Sequence, residues 1–332
     1  MNRKSLLVGI CVAVMTASAL TGCGDSGGSK SSGDIPKNVE IQVPAKAGGG
    51  TDVMARTLGQ EVAKQTGSNL TIVNNTDGGG VVSMETVRTA KGDGSKVLQY
   101  HTSMLIKSAT KVYDKTACDD FKVWGVSQGT EKGQYVLVTS ADSDMKTIDD
   151  FVNKGKSGEI KMGIETGGTT HVITGILSKK AGVNVKYVEA GSDTEKLTAL
   201  VGNTIDACIV NVNQAKQYVE SGKANALAVV TNGDEGARSS VLPDVPSLKE
   251  SGIDCSFASY NIFAGPKDMS EEVAKKLYEA YAAAAKSDAV NEVLEPAGMA
   301  MEFLSYEEGP AKLKAQQDDI NSVVEELGLV QK

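Results

Sequence analysis

Apolar residues take alternate positions in "VEIQV" (39–43), and short apolar runs recur at "NLTIVN" (69–74), "KVLQYH" (96–101) and "QYVLVT" (134–139). A period of two marks a half-buried strand, and a short apolar run between polar turns marks a strand covered on both faces. Between these runs the period lengthens. Asp52 to about Lys64 reads as an amphipathic helix, and Val81, Met84 and Val87 share one helical face. "TIDDFVNKG" opens a short helix at Thr147. The alternation then restarts, with predicted strands at "EIKMGI" (159–164), "VNVKYV" (183–188), "TIDACIV" (204–210) and "ANALAVV" (224–230). "YNIFAGP" (260–266) is a late strand, and helices follow from a predicted cap at Ser270.

Strands separated by helices imply right-handed βαβ units. The expected fold class is therefore α/β, with mainly parallel sheets flanked by helices in two lobes. If the late strand returns to the first sheet, residues 37–138 and 260–332 make one lobe and 139–259 an inserted second lobe. Two sequential domains are the alternative that the pattern leaves open.

Four glycine-rich loops follow predicted strands: "PAKAGGGTD", "NTDGGG", "ETGGTT" and "EAGSD". Open sheets of this kind bind ligands beyond the carboxyl ends of their strands. Glycine lets a ligand approach the backbone closely, and each following helix begins with unpaired N–H groups and a partial positive charge. A carboxylate or phosphate is stabilised there without a basic side chain. Asp52 reads equally as a helix cap or as a polar group facing a cleft, while Asp77 sits in a glycine turn. His101 ends a strand and His171 starts a helix after Thr169-Thr170, so capping and packing compete with ligand contact at both.

Nucleotide and catalytic motifs are missing. No G-x-G-x-x-G follows the first strand, and no G-x-x-x-x-G-K-[ST], G-x-S-x-G or H-E-x-x-H occurs. The two histidines have no Asp, Glu or Cys set at metal-binding spacing. The loops offer grip rather than chemistry, so no enzyme, cofactor or metal is expected.

The N-terminus reads as targeting. "MNRK" is a positive n-region, "SLLVGICVAVMTASA" an apolar core, and "LTGC" a lipobox whose Cys23 would carry lipid, palmitate included. Residues 1–22 are thus an expected lipoprotein signal peptide, and 23–36 the lipidated cysteine and a Gly/Ser tether. The mature body would lie outside the cytoplasm, held to a membrane through Cys23 alone. The formal charge of -8 becomes about -10 after cleavage, with 32 basic against 42 acidic side chains. An acidic surface without a basic patch disfavours nucleic acid. Cys118, Cys208 and Cys255 remain; Cys208 in "IDACIV" looks like a buried strand residue.

The order of these motifs resembles the Bug family, the substrate-binding proteins of tripartite tricarboxylate transporters. Pro44, Gly48-Gly49, Asp52 and Arg56 match its opening, and Asn74 or Asn75 with Gly78 to Gly80 its second loop. Asp93-Gly94, "GGTTH" (167–171), "LPDVPSLKESG" and "FAGP" follow in family order. The resemblance implies a two-lobe periplasmic-binding-protein type II fold with a ligand cleft between lobes. It implies a small carboxylate held by Ala47, Gly48, Gly49, Gly50 and Thr51 from one lobe and by Thr166, Gly167, Gly168, Thr169 and Thr170 from the other; Lys46, an unusual cation in the first loop, reads either as a solvated lysine or as a partner for one ligand carboxylate. It also implies delivery to one large and one small membrane subunit by a monomeric receptor. A receptor that signals to a membrane sensor, and a lipid-anchored enzyme acting on small acids, are the alternatives.

This chain departs from the family where Glu189-Ala190-Gly191 replaces a lysine-bearing stretch, and where Glu165 stands beside the second loop. Glu189 and Gly191 thus join Asp52, Asp77, His101 and His171 as candidate cleft residues. An acid facing inward would oppose a citrate-like trianion, so the expected solute is a mono- or dicarboxylate, amino acids included.

Overall fold

Val39, Ile41 and Val43 are almost fully buried on one face of the first strand, as their alternation requires. The computed structural model describes residues 34–129, 134–232 and 238–330. The expected signal peptide, Cys23 and most of the tether lie outside the described residues.

Eleven strands are found among the described residues. β1 (Asn38–Val43), β2 (Asn69–Asn74), β3 (Lys96–His101) and β4 (Phe121–Gly129) come first. β5 (Tyr135–Ser140), β6 (Ile160–Ile164), β7 (Val185–Glu189), β8 (Ala207–Asn211) and β9 (Ala224–Val230) follow, then β10 (Tyr260–Pro266) and β11 (Met301–Phe303). The helices are α1 (Gly50–Thr66), α2 (Val81–Arg88), α3 (Ser103–Ala109), α4 (Ala117–Asp120), α5 (Ile148–Ser157) and α6 (Thr169–Ala181). After them come α7 (Asp193–Val201), α8 (Val212–Glu220), α9 (Glu271–Ala284), α10 (Asp288–Leu294) and α11 (Glu308–Glu326).

Two sheets result, ordered β11-β4-β10-β3-β1-β2 and β7-β6-β8-β5-β9, both within one compact unit of the chain. β1, β2 and β3 pair in parallel, with Ile41 opposite Ile72 and Val97. β10 enters antiparallel between β3 and β4, so the late strand does lie in the first sheet. In the second sheet β6, β7 and β8 are parallel, while β5 runs against β8 and β9. Strand direction is thus mainly uniform, but β5, β10 and β11 run the other way and make the ladders mixed.

The expected lobe boundary at 138/139 falls inside β5, all six residues of which pair in the second sheet. The chain instead crosses between Gly129 and Tyr135 and returns between Val230 and Tyr260.

α1 buries Ala55, Leu58 and Val62 on the first sheet beside Val273, Leu277 and Tyr281 of α9. Trp124 of β4 fills the centre of that layer, its ring 5.1 Å from Tyr281 and 5.4 Å from Phe263. A second cluster runs through both sheets, from Leu98 and Tyr100 to Leu137 and Ile209, and includes Leu313 and Ile320 of α11. α11 reaches from the first sheet to α6, where Lys179 pairs with Glu326. There an ideal Cβ on Gly175 would lie 2.1 Å from Leu327, so α6 carries glycine where the residue just past α11 presses on it. Cys118, Cys208 and Cys255 are free thiols; burial pushes Cys208 and Cys255 up to about 12, in keeping with a packing role.

Candidate functional site

A cavity of about 530 Å³ opens between the carboxyl ends of the two sheets. That volume suits a small molecule. The first sheet's half contributes Gly50, Thr51 and Met54 of α1, His101, Ser103 and residues 297–300. The second contributes Glu165, Thr169 and Thr170 at the start of α6, Ser192, Asp193 and Lys196 of α7, and Asn211, Asn213 and Gln214 around the start of α8. Gln134, Tyr135, Ser259 and Tyr260 line it where the chain crosses; the Tyr135 and Ser259 hydroxyls are 3.1 Å apart.

The helix starts differ in a way that matters. α5, α7, α8, α9 and α10 begin on Thr147, Ser192, Asn211, Ser270 and Ser287, each with a side chain accepting from a first-turn amide. α1 and α6 begin on Gly49 and Gly168 with no side-chain cap, as α2, α3 and α11 also do on Gly80, Thr102 and Glu307; what sets α1 and α6 apart is that they face each other across the cavity. Their first-turn N–H groups have no intrahelical partner, and the positive ends of both dipoles open on the same cavity.

Of the residues expected to bind, Gly50, Thr51, His101, Thr169 and Thr170 line the cavity. The others lie around it. Lys46, Ala47, Gly48 and Gly49 form the loop ahead of α1, with Lys46, Ala47 and Gly48 exposed. Asp52 is buried beneath that loop, accepting from Gly48 N–H at 2.8 Å and Arg56 Nε at 3.0 Å. Burial pushes its carboxyl up, but the guanidinium and the amide prevail and hold it below the usual range. Asp77 is exposed in a turn braced by Asn75 Oδ1, 2.8 Å from the Asp77 amide.

Glu189 accepts from the amides of Thr166 at 2.7 Å and Gly191 at 2.9 Å. Those bonds, Thr166 foremost, keep its carboxyl low and tie the two loops together. Thr166, Gly167 and Gly168 lead into α6 without lining the cavity. His171 is buried behind them, its Nδ1 accepting from Gly167 N–H at 3.2 Å and its ring 4.6 Å from Tyr187. Burial lowers its pKa, against the pull of Glu189. His101 has part of its ring toward the cavity, yet the protein packed around it drives its pKa down to about 4, with Lys107 adding to the effect. It is uncharged at neutral pH.

Sequence reasoning missed Lys196. Its side chain is 2% exposed, and its ammonium lies 2.7 Å from Asp193 Oδ1 and 3.2 Å from both Thr170 Oγ1 and the Ile209 carbonyl. Asp193 in turn accepts from Asn211 N–H at 2.9 Å. One ion pair, its lysine buried and its aspartate partly exposed to the cavity, therefore joins the starts of α6, α7 and α8. A lysine in mid-helix reads as a solvated face, so nothing in its spacing points inward. Asn211 and Asn213 did carry a signal, since "NVNQ" follows a predicted strand at its carboxyl end.

Among the described residues there is no cluster able to hold a metal ion, and no helix is long and apolar enough to cross a membrane. The cavity wall supplies amides, hydroxyls and carboxamides beside His101, Glu165 and the Asp193–Lys196 pair.

The family model for the tripartite tricarboxylate transporter family receptor, TctC, matches residues 54–329. An Agrobacterium vitis protein, the UPF0065 protein in the TAR-I ttuE-ttuC' intergenic region, is 30% identical over 301 residues, covering 87% of this chain and 84% of that one. A TctC solute-binding protein from Polaromonas, solved without ligand, superposes with a TM-score of 0.75 at 25% identity, over 87% of this chain and 98% of that one. The fold is also that of two Rhodopseudomonas palustris proteins. MatC with bound malate has a TM-score of 0.66 at 20% identity, over 86% of this chain and 98% of that one. The other, with adipate, has 0.69 at 21%, over 88% and 97%. With its two-sheet type II architecture, this chain belongs to the tripartite tricarboxylate transporter receptor family, whose members are periplasmic solute-binding proteins and not enzymes.

Proposed function

We propose that this receptor captures a small mono- or dicarboxylate between its lobes and passes it to a tripartite tricarboxylate-type transporter of one large and one small membrane subunit. The observation that carries the reading is the pairing of α1 and α6, two glycine-started helices without side-chain caps, on one cavity. Amides there would bind a carboxylate in two dimensions at once, Gly50 and Thr51 from one lobe and Thr169 and Thr170 from the other. Malate and adipate in two structural relatives support a carboxylate of that size. Anchoring through Cys23 completes the proposal, and labelled palmitate that enters Cys23→Ser as well as wild type would refute that part.

The amide reading has a sharp test. Thr169 is the first residue of α6, where proline fits helix geometry but has no N–H to give. Thr169→Pro should weaken succinate binding about tenfold or more in calorimetry, beyond the loss in Thr169→Ala, since a charge-assisted hydrogen bond contributes about 1.5–3 kcal/mol. Equal affinities for the two variants would remove the α6 amides from the site. Tight binding of citrate with none of smaller acids would overturn the expected ligand size and charge.

A further inference from the structure

The charges around the cavity do not suit a plain anion. Among the described residues lining it, Lys196 is the one lysine or arginine, and its three donors already meet Asp193, Thr170 and the Ile209 carbonyl. The Asp193–Lys196 pair sums to zero and has no proton left to offer. His101 is neutral near pH 7. Glu165 remains. It follows β6 directly, is exposed and lines the cavity, and its carboxylate makes no hydrogen bond or ion pair with another described residue. Lys107, on the opposite lobe, feels the field of Glu165 without reaching ion-pair distance. Tyr100 and Tyr135 feel it as well, so the charge acts across the cleft.

The position of that charge is informative. A Cβ on Gly168, the residue that starts α6, would lie 2.8 Å from Glu165 Oε2. An unpartnered carboxylate therefore stands directly beside the amides that favour an anion. A solute with negative charge alone gains from the helix starts and is opposed by Glu165. One carrying an ammonium next to its carboxylate gains from both.

We propose that the solute is a zwitterion, an α-amino acid whose carboxylate meets the starts of α1 and α6 while its ammonium meets Glu165, the residue that sets specificity. This rests on the carboxylate reading above and narrows it. Adjacency of the two subsites is what selects an α-amino acid over a longer ω-amino acid.

The test uses pairs that differ by the ammonium alone, L-aspartate against succinate and L-alanine against propionate, in calorimetry at neutral pH on wild type and Glu165→Gln. In wild type the amino acid of at least one pair should bind about tenfold tighter or more, as a charge-assisted contact requires. Glu165→Gln should abolish that preference by weakening the amino acid while leaving or strengthening the plain acid. Succinate or propionate binding at least as well as its amino acid partner would overturn the proposal and leave the carboxylate reading standing. So would a Glu165→Gln variant that weakens both members alike, which would assign Glu165 to lobe closure opposite Lys107. A variant that strengthens both alike would make Glu165 a mere repelling charge and overturn it too. Absence of binding by any carboxylate would overturn both readings together.

Discussion

Asp52, Glu189 and His171 share a lesson about polar residues at loop ends. Each was a candidate to face the solute, and each is spent on holding a loop: Asp52 on Gly48 and Arg56, Glu189 on Thr166 and Gly191, His171 on Gly167. Sequence gives the residue and its place at a helix start, but rotation by one side-chain torsion decides between bracing and contact. His101 went the other way and does reach the cavity wall. Its charge state yields a prediction. The folded pKa of about 4 lies below the ordinary 6.5, so the unfolded chain takes up the proton first as pH falls. Stability owed to neutral His101 is whole above pH 6.5 and is lost progressively down to about pH 4. His101→Asn should therefore show a shallower fall in melting temperature across that window in scanning calorimetry. The slope left over belongs partly to His171, shifted in the same direction by burial. Identical acid limbs in both proteins would show that His101 is not desolvated.

Regular elements were largely legible because burial on one face imposes a period. The strands 224–230 and 260–266 match to the residue, a helix opens at Thr147 as expected, and Ser270 caps the helix it was expected to cap. β4 escaped notice for a physical reason. It lies between β10 and β11 with both faces covered, so "FKVWGVSQG" does not alternate, and Gly125 breaks the apolar run where Phe263 and Phe303 close in. β11 is three residues long, too short to carry a pattern. The Asp193–Lys196 pair was hidden for the same kind of reason, since it depends on what packs above α7. Lys196→Met should leave Asp193 without its cation and cost about 3 kcal/mol, the range for breaking a buried pair. Urea denaturation would measure the cost, and adding Asp193→Asn should return part of it. Succinate affinity should fall with Lys196→Met, because Thr170 at the start of α6 loses its partner. Full stability in the single variant would mean that the pair stands in solvent.

For the whole molecule, two sheets need not mean two folding units. The apolar cluster that includes Leu98, Leu137, Ile209 and Ile320 passes from one sheet to the other through α11. Heating should therefore give one cooperative transition, followed equally by near-ultraviolet and far-ultraviolet circular dichroism. A bound solute at a hundred times its dissociation constant should add about 2.7 kcal/mol to that single transition. Two separate transitions would show that the lobes melt independently.

At the cavity rim the lobes meet closely, since a Cβ on Gly298 would lie 2.2 Å from Asn213 Nδ2. At the other contact Leu327 sits hard against Gly175. The first contact lies at the cavity and ends on a flexible carboxamide, while the second is apolar and lies away from it, so the motion that would part the first and keep the second is a swing about the second, like a book on its spine. A small swing would carry the α1 amides away from those of α6, and the proposed solute would then keep half its donors and gain water on its bare side. Under the proposed delivery, letting go would ask for no altered bond, only a swing that a docked membrane subunit could supply by prising at the rim.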